Sequence, residues 1–199
     1  MARRRTIVAI GGGRLGGLAG DALDRFALGV AGRRLRTLLI TTAWRDDQAS
    51  ARAALDALAR VADAQLFRPE QHAPRPGAIL AEHDAVWVTG GDVHHLLVRW
   101  RELGIDAALR DAWDAGVVLV GSSAGALCWF EDGVTRAADG TLGPLGDGLG
   151  LLPGSFCAHA NAPDRLPAYR AWSPPGWHRG TRGRIGSRSA SRAPRCARS

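Results

Sequence analysis

Ser123 stands in the stretch Gly121-Ser122-Ser123-Ala124-Gly125, a G-x-S-x-G spacing that follows the apolar run 117–120. A serine on a tight turn between a buried strand and a helix is presented at the strand's carboxyl end. The turn needs small flanking side chains, and the N–H of the next residue, Ala124, can face a developing oxyanion. That arrangement is a nucleophile elbow, and its chemistry is acyl transfer. The competing reading of the same residues is a plain glycine-rich turn between strand and helix.

A serine nucleophile needs a base. The six histidines are His72, His83, His94, His95, His159 and His178. His72 and His83 fall in polar connecting segments and read as solvated. His94 and His95 follow Gly90-Gly91 at a helix start, and surface placement is expected for them. His178 lies in an arginine-rich tail. His159 ends the strand-like run in GLLPGSFCAHAN, which makes it the residue best placed to reach a sheet edge, although a structural histidine would sit there too. Three acids, Glu131, Asp132 and Asp139, lie between Ser123 and His159, and any of them could orient an imidazole. Gly90-Gly91-Asp92 follows a further apolar run and offers a second turn whose amides could complete an oxyanion hole.

One motif competes with this chemistry. Gly11-x-Gly13-x-x-Gly16 follows a first apolar run, as the dinucleotide-binding fingerprint does. That fingerprint also needs an acid closing the second strand. Here the second run ends Thr41-Thr42-Ala43-Trp44, and Asp46 reads as a helix cap. No nucleotide or other cofactor, and no metal, is expected. Cys128, Cys157 and Cys196 form neither an even set nor a CxxC pair, so free thiols and a reducing compartment are expected. Cys128 should face the core, and Cys157 should share a strand face with His159.

The elements that must position these residues are legible as alternation between apolar runs and amphipathic stretches. The runs 6–10, 36–42, 85–89 and 117–120 are each closed by a turn, as strands buried on both faces are. Between them, Asp46-Asp47 can cap a helix with Ala54, Leu55, Leu58, Val61 and Ala62 on one face. Ile105, Ala108, Leu109 and Ala112 line another, which Gly116 can stop. The predicted class is α/β: a three-layer α/β/α sandwich around a mostly parallel sheet.

The chain has 199 residues, 46% of them hydrophobic, with a net charge of +7 and no window that could span a membrane. The short apolar run after MARRR enters a glycine turn rather than a cleavage site, so a cytoplasmic location is expected. All 26 basic residues are arginine. Seven of them, and no acid, fall in 173–199, which leaves 19 arginines against 19 acids in 1–172. The body is neutral and the tail carries the excess. The tail has little aromatic interleaving, so no nucleic-acid partner is expected. It is rich in Arg, Ser, Gly and Pro and cannot bury enough apolar area to offset ordering, so disorder is expected from about residue 174.

VTGGD, GSSAGALCWFEDG, DGLGLLPGSFCAH and PAYR together resemble the serine peptidase family of dipeptidase E and cyanophycinase, over about residues 5–172. The resemblance implies a class I glutamine amidotransferase-like fold and cleavage of Asp-X dipeptides or β-aspartyl linkages without metal. It implies Ser123 as nucleophile, His159 as general base, and Gly91 and Ala124 as oxyanion amides. Gly90 and Asp92 would be substrate-binding. Asp139 matches the family's acid best, with Glu131 second. A small peptide substrate is expected, a homodimer is allowed for, and no membrane partner is expected. An acidic substrate residue would need an arginine fork, for which Arg165 and Arg170 are the nearby candidates. Two departures stand out: Asp92 where the family commonly has asparagine, and alanines at 158 and 160 where an aromatic or proline commonly flanks the histidine. Family members also continue past PAYR with further β structure, so a frameshift near codon 172 of a GC-rich gene is one expected origin of the tail. Two other readings remain: an inactive truncated or non-catalytic binding protein of the same fold, and an α/β-hydrolase-type esterase, which shares G-x-S-x-G but usually has more strands after the elbow.

Overall fold

Successive residues of a strand face opposite sides of a sheet, and in this chain that alternation divides the core in two. The computed structural model describes residues 5–13, 15, 20–28, 35–72, 74–137, 139–172, 181, 182 and 188–191. The central strands are β1 (Ile7–Ile10), β2 (Arg36–Ile40), β3 (Asp63–Leu66), β4 (Ala85–Val88) and β5 (Val118–Ser122). Ile7, Ala9, Leu38, Ile40, Val86, Val88 and Leu119 enter one apolar cluster. Their neighbours Val8, Ile10, Leu39, Ala85, Trp87, Val118 and Val120 enter the other. Strands with both faces buried need a helical layer on each side, and each apolar run supplies two.

The helices meet that need. On one face lie α1 (Gly20–Leu28) and α2 (Gln48–Ala59), which contribute Leu23, Ala27, Leu28, Ala54 and Leu58. On the other lie α5 (Val93–Leu103) and α6 (Ile105–Asp114), which contribute Leu96, Leu97, Trp100, Leu109 and Trp113. Two short helices, α3 (Pro69–His72) and α4 (Pro76–Ala81), lie between β3 and β4 in the chain. The result is the α/β/α sandwich expected, with the strands from β1 to β5 all parallel in the order β1-β5-β4-β2-β3. Asp47 caps α2 by accepting from the Ser50 amide at 2.8 Å, one residue beyond the other candidate, Asp46. Gly116, with φ 93°, closes the turn after α6 as expected.

Register matters most at the carboxyl edge. Ile10 pairs with Ser122, and Val88 with Gly121, so β1, β4 and β5 end level. The residues that follow, Gly11, Thr89-Gly90 and Ser123, therefore emerge side by side on one rim.

After the four-residue helix α7 (Ala124–Leu127) the chain builds a second sheet from β6 (Phe130–Arg136), β7 (Leu142–Pro144) and β8 (Leu152–Cys157). β6 and β8 run parallel, with a bulge between Phe130 and Asp132, and the Phe130 and Phe156 rings stack at 5.0 Å. Helix α8 (Arg165–Trp172) packs Tyr169 onto this sheet, where its hydroxyl bonds Ser155 Oγ at 2.7 Å. Most of the segment expected to be disordered lies outside the described residues. Within it, β9 (Thr181–Arg182) pairs with β8, and β10 (Arg188–Ser191) pairs antiparallel with β1. Pairing at a sheet edge is made by backbone groups, so it places little demand on side-chain type. Among the described residues no helix is long and apolar enough to cross a membrane.

Candidate active site

The nucleophile turn follows from two close approaches. A Cβ on Gly121 would lie 1.8 Å from the Gly125 carbonyl oxygen, and one on Gly125 would lie 2.5 Å from the Val88 carbonyl oxygen. The start of α7 is thus pressed against the ends of β4 and β5, and only glycine fits at either contact. Between them, Ser123 takes φ 53°, ψ −111°, a conformation that costs a non-glycine residue about 1–3 kcal/mol. It is held there by its own backbone: the Ser123 amide donates to the Ile10 carbonyl at 2.9 Å, and its carbonyl accepts from the Ala126 and Leu127 amides at 3.0 and 2.8 Å. Ala124 opens α7, so its amide has no acceptor within the helix.

His159 arrives from β8. Two residues beyond the strand end it takes φ 53° and donates its amide to the Gly11 carbonyl at 2.7 Å. Its Nε2 then lies 2.7 Å from Ser123 Oγ. Serine and histidine are both half-buried. Burial, and secondarily the positive charge of Arg165, lower the imidazole pKa below its ordinary value, which favours the neutral, proton-accepting form.

The other expected residues fall as follows. Gly90 adjoins the hydroxyl: a Cβ there would lie 3.0 Å from Ser123 Cβ. Gly91 has φ 132° and no room for a side chain, since a Cβ would lie 2.3 Å from the Ala43 carbonyl oxygen and 2.9 Å from the Trp44 ring. The loop after β2 therefore packs behind the glycine pair. Asp92 caps α5 by accepting from the His95 amide at 3.0 Å, and its other oxygen accepts from Arg45 at 3.2 Å. Asp92→Ala should lose about 1 kcal/mol of stability in urea unfolding, whereas Asp92→Asn keeps the cap and should lose much less.

The three acids are engaged elsewhere. Asp139 is exposed and accepts from the Thr141 amide and hydroxyl at 2.9 and 2.7 Å, bonds that lower its pKa. Glu131 and Asp132 belong to β6. Glu131 accepts from the Gly154 amide at 2.7 Å, and Asp132 accepts from the Gly133 and Gly146 amides at 2.6 and 2.7 Å. Among the described residues no carboxylate is hydrogen-bonded to His159. Arg165, half-buried at the start of α8, donates to the Val134 carbonyl at 3.3 Å, while Arg170 is exposed.

Of the remaining histidines, His94 is exposed as expected. His83 is not: it is 5% exposed, with Nδ1 2.7 Å from the Ile79 carbonyl oxygen, because the helix before it folds over the ring. Cys128 and Cys157 are fully buried. Burial pushes the Cys128 thiol well up, and its sulfur donates to the Gly125 carbonyl. Cys157 Sγ lies 3.8 Å from the Arg165 carbonyl oxygen, inside the packing between β8 and α8. Cys196 and His178 lie outside the described residues. Among the described residues no group of three metal-ligating side chains converges.

Sequence reasoning missed Gly11 and Gly12. It weighed their turn only as a nucleotide fingerprint, set that reading aside and gave the turn no role, whereas the turn lies against His159. The signal available was position: both glycines end a strand level with the elbow strand.

The Bacillus subtilis (strain 168) protein named "Uncharacterized peptidase YgaJ" is 50% identical over 95 residues, which are 46% of this chain and 40% of that relative's length. The chain thus spans less than half of that curated relative. Among solved structures, a protein from Listeria monocytogenes EGD-e described as a candidate peptidase E superposes with a TM-score of 0.61 at 15% identity, covering 96% of this chain and all of its own (100%). A peptidase from an acI-B1 actinobacterium superposes with a TM-score of 0.63 at 17% identity, covering 96% of this chain and 89% of its own. At that identity these two matches speak for the fold. The profile of Peptidase family S51 matches residues 7–173, and the chain belongs to that family of peptidase E-like serine peptidases.

Proposed function

We propose that this chain is a serine-type peptidase acting on small peptides, with Asp-X dipeptides or related aspartyl linkages as its substrates. The observation that carries the reading is the 2.7 Å approach of Ser123 Oγ to His159 Nε2 on a strained turn. A neutral imidazole at that distance can take the hydroxyl proton as the oxygen attacks a peptide carbonyl, then return it to the leaving amine. Water deacylates the ester by the same proton route. Ala124 and Gly91 are the amides assigned to the oxyanion, one opening α7 and the other following the turn that adjoins Ser123. The role of Asp139 as orienting acid would require it to leave Thr141. No cofactor and no metal enters this chemistry.

The acidic preference rests on Arg165. Its guanidinium is half-buried, close enough to lower the His159 pKa, and burial lowers its own. Asp164 already acts on this half-buried cation, and an aspartyl side chain would supply a further anionic partner. Arg170 is the second candidate. The test is cleavage of a panel of Asp-X dipeptides, β-aspartyl dipeptides, neutral dipeptides and a simple ester by the purified chain. Turnover confined to aspartyl members supports the reading; turnover of the ester with none of the peptides would replace it by an esterase.

The same charge predicts a pH effect. The working base is neutral His159, so activity rises as pH increases through its pKa. That midpoint should lie below about 6.5, the ordinary histidine value. Arg165→Gln removes one of the two causes and should move the midpoint up. Labelling by a neutral fluorophosphonate, which has no acidic group for Arg165 to hold, reads the midpoint without the substrate's contribution.

A further inference from the structure

We propose that Gly12 is a positioning residue for His159: the glycine turn after β1 packs against the imidazole and fixes where the ring sits. This rests on the reading of His159 as the base. Two observations carry it. A Cβ on Gly12 would lie 2.4 Å from His159 Cε1, 2.5 Å from Nδ1 and 3.2 Å from Nε2, so the whole Nδ1–Cε1–Nε2 edge of the ring lies against the Gly12 backbone. The His159 amide is tied to the carbonyl of the preceding residue, Gly11, at 2.7 Å.

These contacts divide the task of holding the pair. The Ile10 carbonyl holds the nucleophile's amide, the Gly11 carbonyl holds the base's amide, and the bare Cα of Gly12 lets the ring settle onto the turn. Any side chain at Gly12 would occupy the volume of the imidazole. The ring is the mobile partner, so it would swing outward and carry Nε2 away from Ser123 Oγ. A general base displaced by about 1 Å costs on the order of 100-fold in rate. The motif that resembles a pyrophosphate cradle is thereby given a different occupant, an imidazole of the same chain.

The test compares Gly12→Ala with Gly13→Ala. Both positions have positive φ, 150° and 127°, but a Cβ on Gly13 would meet nothing within 4 Å, so that variant carries the backbone strain without the collision. Gly12→Ala should lower kcat for peptide cleavage, and the rate of fluorophosphonate labelling, about 100-fold with KM within about threefold. The acid limb of its pH profile should move up toward 6.5 as the ring gains solvent. Gly13→Ala should lose no more than about threefold, since only strain remains there. A second readout needs no turnover: the melting temperature lost in Gly12→Ala should be largely regained in Gly12→Ala/His159→Ala, where the ring is gone. If Gly12→Ala does not fold, the double variant should. Equal losses at positions 12 and 13, an unmoved acid limb, or a melting loss in the double variant well beyond that of Gly13→Ala would overturn the inference. Those outcomes leave the peptidase reading intact, whereas full activity in Ser123→Ala would strike that reading whatever Gly12 does.

Discussion

Ser123→Ala is expected to lower turnover of a cleaved peptide by about 10,000-fold or more, and to abolish fluorophosphonate labelling, while folding is retained. The size of the loss follows from the division of labour in the site. The hydroxyl forms the bond, and nothing beside it can substitute: Ser122 is 8% exposed in β5, and the Cys128 thiol is fully buried and kept protonated. The small structural cost follows from the side chain's contacts. Alanine keeps the Cβ that packs against Gly90 and gives up one hydrogen bond, to His159, worth about 1 kcal/mol. His159→Ala should cause a comparable loss, and the double variant should be no worse than either, because two groups that act on one proton fail together. The strain at Ser123 gives the same experiment a second arm. Glycine adopts φ 53° without the Cβ penalty, so Ser123→Gly should be as inactive as alanine yet more stable by about 1 kcal/mol. Activity within tenfold of the parent in Ser123→Ala would remove this residue from the chemistry.

The largest stability loss is expected at Gly121, where no titration or catalysis is involved. Its substitution by alanine puts a methyl group 1.8 Å from the Gly125 carbonyl oxygen and 2.6 Å from the Trp129 indole nitrogen. Neither neighbour can yield cheaply. Gly125 is itself held against the Val88 carbonyl, and Trp129 is fully buried in contact with Trp100. β5 is hydrogen-bonded on both sides, to β1 and to β4, so it cannot retreat. Overpacking against backbone on all sides should cost about 3 kcal/mol or more. Gly140→Ala is the control. That glycine has φ 87° and open space around it, so alanine there should cost only the left-handed penalty of about 1–2 kcal/mol. Urea unfolding of both variants measures the difference, and equal losses would show that the elbow is looser than its contacts imply.

The strands that could be read in the sequence were those whose chemistry is local. β1, β2, β4 and β5 each have faces buried in both layers, so their residues are apolar without interruption, and no tertiary knowledge is needed to recognise them. β3 is an edge strand written Asp-Ala-Gln-Leu, half its residues exposed, and it carries no such run. β6 was hidden for a different reason. It contains Glu131, Asp132 and Gly133, residues of poor strand propensity, and it forms because a bulge accommodates them beside β8. Two of the three candidate acids, Glu131 and Asp132, were thereby placed in a sheet. In the site, the spacing of Ser123 within its turn was legible because small residues are the local requirement of the elbow. The pairing with His159 was inferable from the strand that delivers it. The function of the first glycine turn was not legible, because a glycine that makes room for a ring and one that makes room for a phosphate look alike in one dimension. Asp92 illustrates the same limit: its cap on α5 is written in its position before the helix, but its partner Arg45 comes from the loop after β2, 47 residues earlier in the chain.

The bond from the Ser123 amide to Ile10 and that from the His159 amide to Gly11 tie both reactive residues to the opening segment of the described chain. Neither can be made by a local stretch. Each closes a long loop, and loop closure of this span is a slow, late event in folding. Emergence of hydrolytic competence during refolding should therefore lag the recovery of helical signal and coincide with the final docking of β8. A nascent polypeptide on the ribosome would carry a harmless serine until the second sheet has left the exit tunnel.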